Sequence, residues 1–283
     1  MKLISVFDHL AATPASPAAT PRRALLGQLG RAAVAALPLV GALPAAAETK
    51  DTSYDAVLQL LQLERLQTAL YTQGLAAAGL IPTAQRADFQ RMLGHQTQHA
   101  TLLQQSLQNA GALVPAQPTF DFSGRHSVTT NPVLFPNVFT SFDEFLSLAQ
   151  QLEDLGARLY LTHAFNITYD APLSRNLLRM QPVEAQHAAH VRGLRQRRGA
   201  TVQNWPSDED AAITRPAAAQ ALTTAATGGE NNTVQSISST VNVPFATFLL
   251  ISKNTAVRDP SLAEAFDEPI SADNAQAALD LFI

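Results

Sequence analysis

The chain has 283 residues, 46% hydrophobic and 15% charged, with a formal net charge of −4. That balance describes a globular chain rather than a disordered one, and the negative charge removes the electrostatic basis for binding nucleic acid. Cysteine is absent, which excludes disulfides, thiolate metal sites, iron–sulfur clusters and cysteine nucleophiles.

Residues 1–47 are expected to form an export signal. Arg22-Arg23 precede an apolar stretch, Ala32 to Leu43, which ends in Pro44-Ala45-Ala46-Ala47. Basic residues, a short apolar run and small residues at the exit make a signal peptide. The context Thr20-Pro21-Arg22-Arg23-Ala24-Leu25-Leu26 is similar to the twin-arginine type; an ordinary secretory signal with a chance arginine pair is the alternative. Arg31 interrupts a run already short for a bilayer, so no stable membrane span is expected after cleavage. Cleavage after Ala47 removes Lys2, Arg22, Arg23 and Arg31 but only Asp8 among the acids, moving the net charge from −4 to −7. The expected location is the periplasm or exterior of a bacterium.

The remainder divides into residues 48–200 and an extension, 201–283. Asp51-Thr52-Ser53 offer caps for a first helix running to about Ala78, stopped by Gly79 and Pro82. Thr83 is the expected cap of a second helix through Ala110, closed by Gly111. Residues 111–140 carry four prolines and four phenylalanines and are predicted to be an ordered crossover. A third helix starts at the capping box Ser141-Phe142-Asp143-Glu144 and reaches about Ala164. A fourth follows Asp170 and ends near Arg198, before Gly199. Arg192, Arg195, Arg197 and Arg198 crowd its end, where the helix dipole favours cations. In the extension the pattern weakens to a short candidate, Pro216 to Thr224, and a final helix from Ser271 or Asp273. The predicted fold class is all-α: a four-helix bundle of two antiparallel hairpins, a long crossover between helices 2 and 3, and an irregular extension packed on it.

Two motifs recur. Leu63-Glu64-Arg65-Leu66 with Leu70-Tyr71 in helix 1 matches Leu152-Glu153-Asp154-Leu155 with Leu159-Tyr160 in helix 3. Each Glu and Tyr lie seven residues apart, nearly on one helix face. Gln96-Thr97-Gln98-His99 in helix 2 matches Glu184-Ala185-Gln186-His187 in helix 4, and the Glu-to-His separations are 35 and 34 positions. A glutamate from each of two helices, with a Glu-x-x-His pair from each of the other two, is an arrangement that surrounds two metal ions. Oxygen-rich ligands with a few imidazoles suit iron or manganese, with zinc also open.

On these motifs the chain resembles the ferritin-like superfamily, and more narrowly the exported ferritin-like-domain proteins called desiccation-related. Ala265-Phe266-Asp267-Glu268-Pro269 and the run Gly229-Glu230-Asn231-Asn232 also resemble that narrower family. The resemblance implies metal ligands at Glu64, Gln96, His99, Glu153, Glu184 and His187, and one or two ions of iron or manganese. Position 96 departs from the pattern, since Gln stands where a complete site has Glu; one charge and one bridging ligand are lost. The Glu153–Glu184–His187 half is complete and the Glu64–Gln96–His99 half is not.

Tyr71 and Tyr160 are either core aromatics or hydrogen-bond partners of the ligating carboxylates. His190 is expected beside the site or at the surface, and His95 and His163 at the surface or a helix edge. Two functions compete: a metal-binding protein with redox chemistry in oxidative or desiccation stress, and a non-catalytic envelope protein that keeps a degenerate site. The expected partners are metal ions, with association into a homo-oligomer left open. A hollow storage cage is disfavoured by the crossover and tail, and a hydrolase by the lack of a Gly-x-Ser-x-Gly elbow.

Overall fold

Leucines at helical spacing generate four long helices: α1 Lys50–Ala76, α2 Thr83–Asn109, α3 Phe142–Asn166 and α4 Ala171–Arg197. This computed structural model describes residues 50–126, 128–167, 170–230, 234–238, 241–244 and 264–283. The expected export segment, 1–47, lies outside them, as do parts of the turn before Asp170 and of the polar run after Glu230.

The helix ends show which side chains set them. Pro82, not Thr83, occupies the N-cap of α2 with φ −56° and ψ 145°, and Thr83 is the first helical residue. The extended backbone at Pro82 delivers the chain into the helix without a side-chain cap. Ser141 caps α3 by accepting from the Glu144 backbone N–H, while the Glu144 carboxylate faces Arg215 instead of closing the box. Asp170 caps α4 by accepting from Leu173 N–H at 2.9 Å. Gly199 ends that run at φ +97°, a left-handed conformation that favours glycine.

α1 pairs with α2 and α3 with α4, and the two hairpins meet mainly through α1 against α3. Leu60, Leu63, Leu66 and Leu70 of α1, with Leu148, Leu152, Leu155 and Leu159 of α3, have no exposed surface. Each fully buried leucine is worth about 1.5–3 kcal/mol. α3 is buried from 151 through 160 on every side, because the extension covers the face that the bundle leaves open. Among the described residues no helix is long and apolar enough to cross a membrane.

The crossover is pinned by its phenylalanines, as predicted. Phe120, Phe122 and Phe135 are buried, and Phe135 stacks on Phe282 from the chain end at 4.8 Å. The extension holds more structure than its sequence suggested. A 3-10 turn, Ala217–Ala219, leads into α5 Gln220–Thr227. An antiparallel hairpin, β1 Val234–Ser238 and β2 Val241–Pro244, pairs Ser236 with Asn242. α6 Ala272–Leu279, capped by Ser271, and a final 3-10 turn, Asp280–Phe282, complete it. α5 and α6 both pack on α3. Arg158, 4% exposed on α3, fixes the extension by donating to the carbonyls of Ala225 at 2.9 Å, Glu268 at 2.8 Å, and Gly228.

Candidate metal centre

The helical repeat turns one face of each long helix toward the bundle interior. Glu64 on α1, Gln96 on α2, Glu153 on α3 and Glu184 on α4 are all fully buried. His99 and His187 follow Gln96 and Glu184 by three residues and point into the same space. The His99 Nδ1 lies 3.2 Å from Glu64 Oε1 and 3.1 Å from Glu184 Oε1. The His187 Nδ1 lies 3.3 Å from Glu153 Oε2 and 3.9 Å from Glu184 Oε1. Two groups result, Glu64–His99–Glu184 and Glu153–Glu184–His187, each with ligand atoms within 4.8 Å of one another. Glu184 is common to both.

The two tyrosines cross between the halves. Tyr160 on α3 donates to Glu64 on α1 at 2.5 Å, and Tyr71 on α1 donates to Glu153 on α3. Both are hydrogen-bonded to the site as well as packed in the core, which resolves the alternatives the sequence left open.

Gln96 joins the cluster through its amide. Its Nε2 lies 3.3 Å from each Glu153 oxygen and 3.1 Å from Glu184 Oε2. Three residues missed by sequence reasoning complete the surroundings. Gln67 donates to Glu184 Oε2 at 3.0 Å and to the Leu152 carbonyl at 3.2 Å. Gly156 leaves room for that carboxylate, since a Cβ there would stand 2.8 Å from Glu184 Oε2. His95, expected at the surface or a helix edge, is half-buried with its Nδ1 2.9 Å from His187 Nε2. Gln67 and Gly156 each follow a site glutamate by three residues, and that spacing was the available signal. His163 also differs from expectation: it is buried, with Nε2 2.9 Å from Gln59 Oε1. His190 is partly exposed and faces Asp88 at 3.6 Å.

Burial of three carboxylates in one pocket sets the charges. Desolvation, reinforced by the charge on Glu184, raises Glu64 to about 8. Burial and Glu184 likewise push Glu153 well above the usual carboxylate range. Burial opposes ionisation of Glu184 too, but the adjacent His99 imidazole, 3.1 Å away, together with His187 outweighs it, and its carboxyl falls to about 2. Burial lowers His99, yet Glu184 and Glu64 overcome it and hold the imidazole at about 10. His187 is lowered, chiefly by burial. Burial therefore favours the neutral forms of Glu64 and Glu153, while Glu184 and His99 face each other as an ion pair.

The residues fit a cation. Glu64 Oε2, Glu184 Oε1 and His99 Nδ1 are buried without an aligned hydrogen bond, and each has a lone pair to offer once deprotonated. Three carboxylates and two imidazoles form an oxygen-rich donor set with nitrogen at its edge, suited to divalent iron or manganese. A family model described as a ferritin-like domain matches residues 54–197, just over half of the chain and all four long helices bar the first turn of α1. No curated protein matches the chain.

Proposed function

We propose, from the premise that the chain belongs to the ferritin-like domain family, that it is an exported protein whose bundle binds iron or manganese for redox chemistry under oxidative or desiccation stress. The observation that carries this reading is the pair of Glu/His groups sharing Glu184. When bound, either metal would supply one-electron chemistry toward oxygen species. Glu64, His99 and Glu184 on one side and Glu153 and His187 on the other are the candidate holders, and Gln96 tunes the charge of the pocket.

The chain's own groups prepare that site. Tyr160 and Tyr71 orient Glu64 and Glu153 from the opposite hairpin. Gln67 holds Glu184. His95 fixes the His187 ring through its Nε2, leaving Nδ1 toward the carboxylates. Such outer contacts set ligand geometry and affinity in metal sites. The leucines around the pocket, among them Leu63 and Leu152 with no exposed surface, exclude bulk water.

The proposal of export rests on Arg22-Arg23 and the apolar run ending in Ala45-Ala46-Ala47. Amino-terminal sequencing of protein recovered from culture fractions tests it; an intact Met1 terminus in the cytoplasm defeats it. A second reading, a non-catalytic protein with a degenerate site, draws support from Gln96, whose amide already satisfies two of the carboxylates. Elemental analysis of protein from its native compartment separates the two. The metal reading expects iron or manganese in the wild type and its loss in Glu184→Ala; a metal-free wild type that still takes up neither ion on addition favours the degenerate site.

A further inference from the structure

The two halves of the centre differ in which polar atoms already have partners. On the Glu153 side both carboxylate oxygens and both His187 nitrogens are engaged, and only the Gln96 Oε1 lacks a partner. Glu153 Oε1 accepts from Tyr71 and from Gln96 at 3.3 Å, and Oε2 meets Gln96 and His187 Nδ1, each at 3.3 Å. The other nitrogen of His187 meets His95 at 2.9 Å. On the Glu64 side, Oε1 accepts from Tyr160, but Glu64 Oε2, Glu184 Oε1 and His99 Nδ1 make no aligned hydrogen bond. Glu184 Oε1 and His99 Nδ1 face each other as an ion pair at 3.1 Å without good alignment, and Glu64 Oε2 has no aligned donor. A buried polar atom left so costs about 1–3 kcal/mol, so a native structure that tolerates it has a use for it.

The amides explain the asymmetry. The Gln96 Nε2 stands within 3.3 Å of both Glu153 oxygens and of Glu184 Oε2. A cation bridging Glu153 and Glu184 would compete for the same oxygens, and an N–H donor cannot ligate it. Gln67 adds a second donor to Glu184 Oε2. Glu184 is thereby divided: Oε2 is held by two amides, and Oε1 faces His99 at 3.1 Å.

We propose that the centre takes a single divalent cation, on Glu64, His99 and Glu184, and that the Glu153–Gln96–His187 side is a hydrogen-bonded wall rather than a second metal site. This deepens the metal-binding reading and rests on it. It also reverses the expectation from sequence, in which the Glu153 half was the complete one. Gln96 selects one ion over two by supplying N–H donors where a glutamate would supply a ligand.

The test uses metal-stripped protein titrated with Mn(II) alone, read by bound equivalents and by electron paramagnetic resonance. The wild type should bind one equivalent with the six-line signal of an isolated ion. Gln96→Glu should bind two equivalents, with the spectrum of a coupled pair. Glu64→Gln should weaken binding by more than about 100-fold, beyond the scale of losing a group that only orients a ligand, and Glu153→Gln by less than about tenfold. Two equivalents in the wild type, or a greater loss in Glu153→Gln than in Glu64→Gln, overturns the single-ion inference while leaving metal binding intact. No binding at all overturns the metal reading and this inference together. The wild-type stoichiometry decides the count even where a variant fails to fold.

Discussion

Gln67 on α1 lies against Gly156 on α3, where a Cβ would stand 3.4 Å from its Nε2 and 2.8 Å from the Glu184 oxygen it holds. The two occupy equivalent positions in the repeat, three residues after Glu64 and Glu153. One helix supplies an amide and the other supplies the space for it. The pseudo-symmetry of the bundle is thus broken at the place where Glu184 must be gripped.

That relationship predicts opposite signs for one substitution at two helical glycines. Gly94→Ala adds a Cβ with nothing within 4 Å and should stabilise the protein by up to about 1 kcal/mol, the ordinary helix gain. Gly156→Ala must displace a carboxylate already bonded to Gln67 and Gln96. It should destabilise by about 1–3 kcal/mol despite the same helix gain. Urea denaturation of both variants checks this, and equal stabilisation would remove the role given to Gly156.

The tyrosines make a second prediction. Tyr160→Phe leaves Glu64 Oε1, in a fully buried side chain, without its donor from α3. Metal-free protein should lose about 1–3 kcal/mol, the cost of an orphaned buried group. Mn(II) affinity should fall about 10–100-fold, the usual effect of removing a group that orients a ligand. A variant with wild-type affinity would mean that Glu64 is positioned by packing alone.

The bundle was legible because the repeat Leu-Glu-x-Leu-x3-Leu-Tyr carries period and chemistry together, and the leucines and the Glu64 and Glu153 carboxylates proved to share the buried faces. Gln67 and Gly156 escaped because a comparison of halves looks for likeness, and these positions matter through their difference. His95 precedes Gln96 by one residue, about 100° around the helix; only the approach of His187 from α4 brings it to the site. The hairpin escaped because β1 and β2 are five and four residues long, too short for alternation to register against the helical background.

Buried His163 makes stability depend on pH. Its imidazole is lowered from 6.5 to about 4 by burial, so the fold keeps it neutral while the unfolded chain protonates it first. Between about pH 6.5 and 4 the unfolded state binds more protons, so stability must fall as pH falls through that window. The loss approaches about 3 kcal/mol, because each tenfold difference in proton affinity between the two states is worth about 1.4 kcal/mol. Above about pH 6.5 this group contributes nothing further. His163→Gln, which keeps an amide donor for Gln59, removes the titration. The difference between wild-type and variant stability should therefore change across pH 4–6.5 and stay flat from 7 to 8; a difference flat throughout would show that His163 does not titrate on unfolding.

The arginines at the end of α4 separate two physical explanations that their sequence position confounds. A helix-dipole role treats the cations of the last turns alike, each worth about 0.3–1 kcal/mol. Arg192 instead turns inward, with no exposed surface, and its guanidinium meets Asp154 at 2.7 and 2.9 Å, Asp210 at 2.5 Å and the Trp205 carbonyl at 3.1 Å. Arg198 pairs with Asp143 at the surface, where both side chains are well exposed. Arg192→Met strands Asp154 in the core and should cost about 3–5 kcal/mol, the scale for breaking a buried ion pair from one side. Arg198→Met should cost less than about 1 kcal/mol, as exposed pairs do. Equal and small losses in the two variants would return the cluster to the dipole explanation.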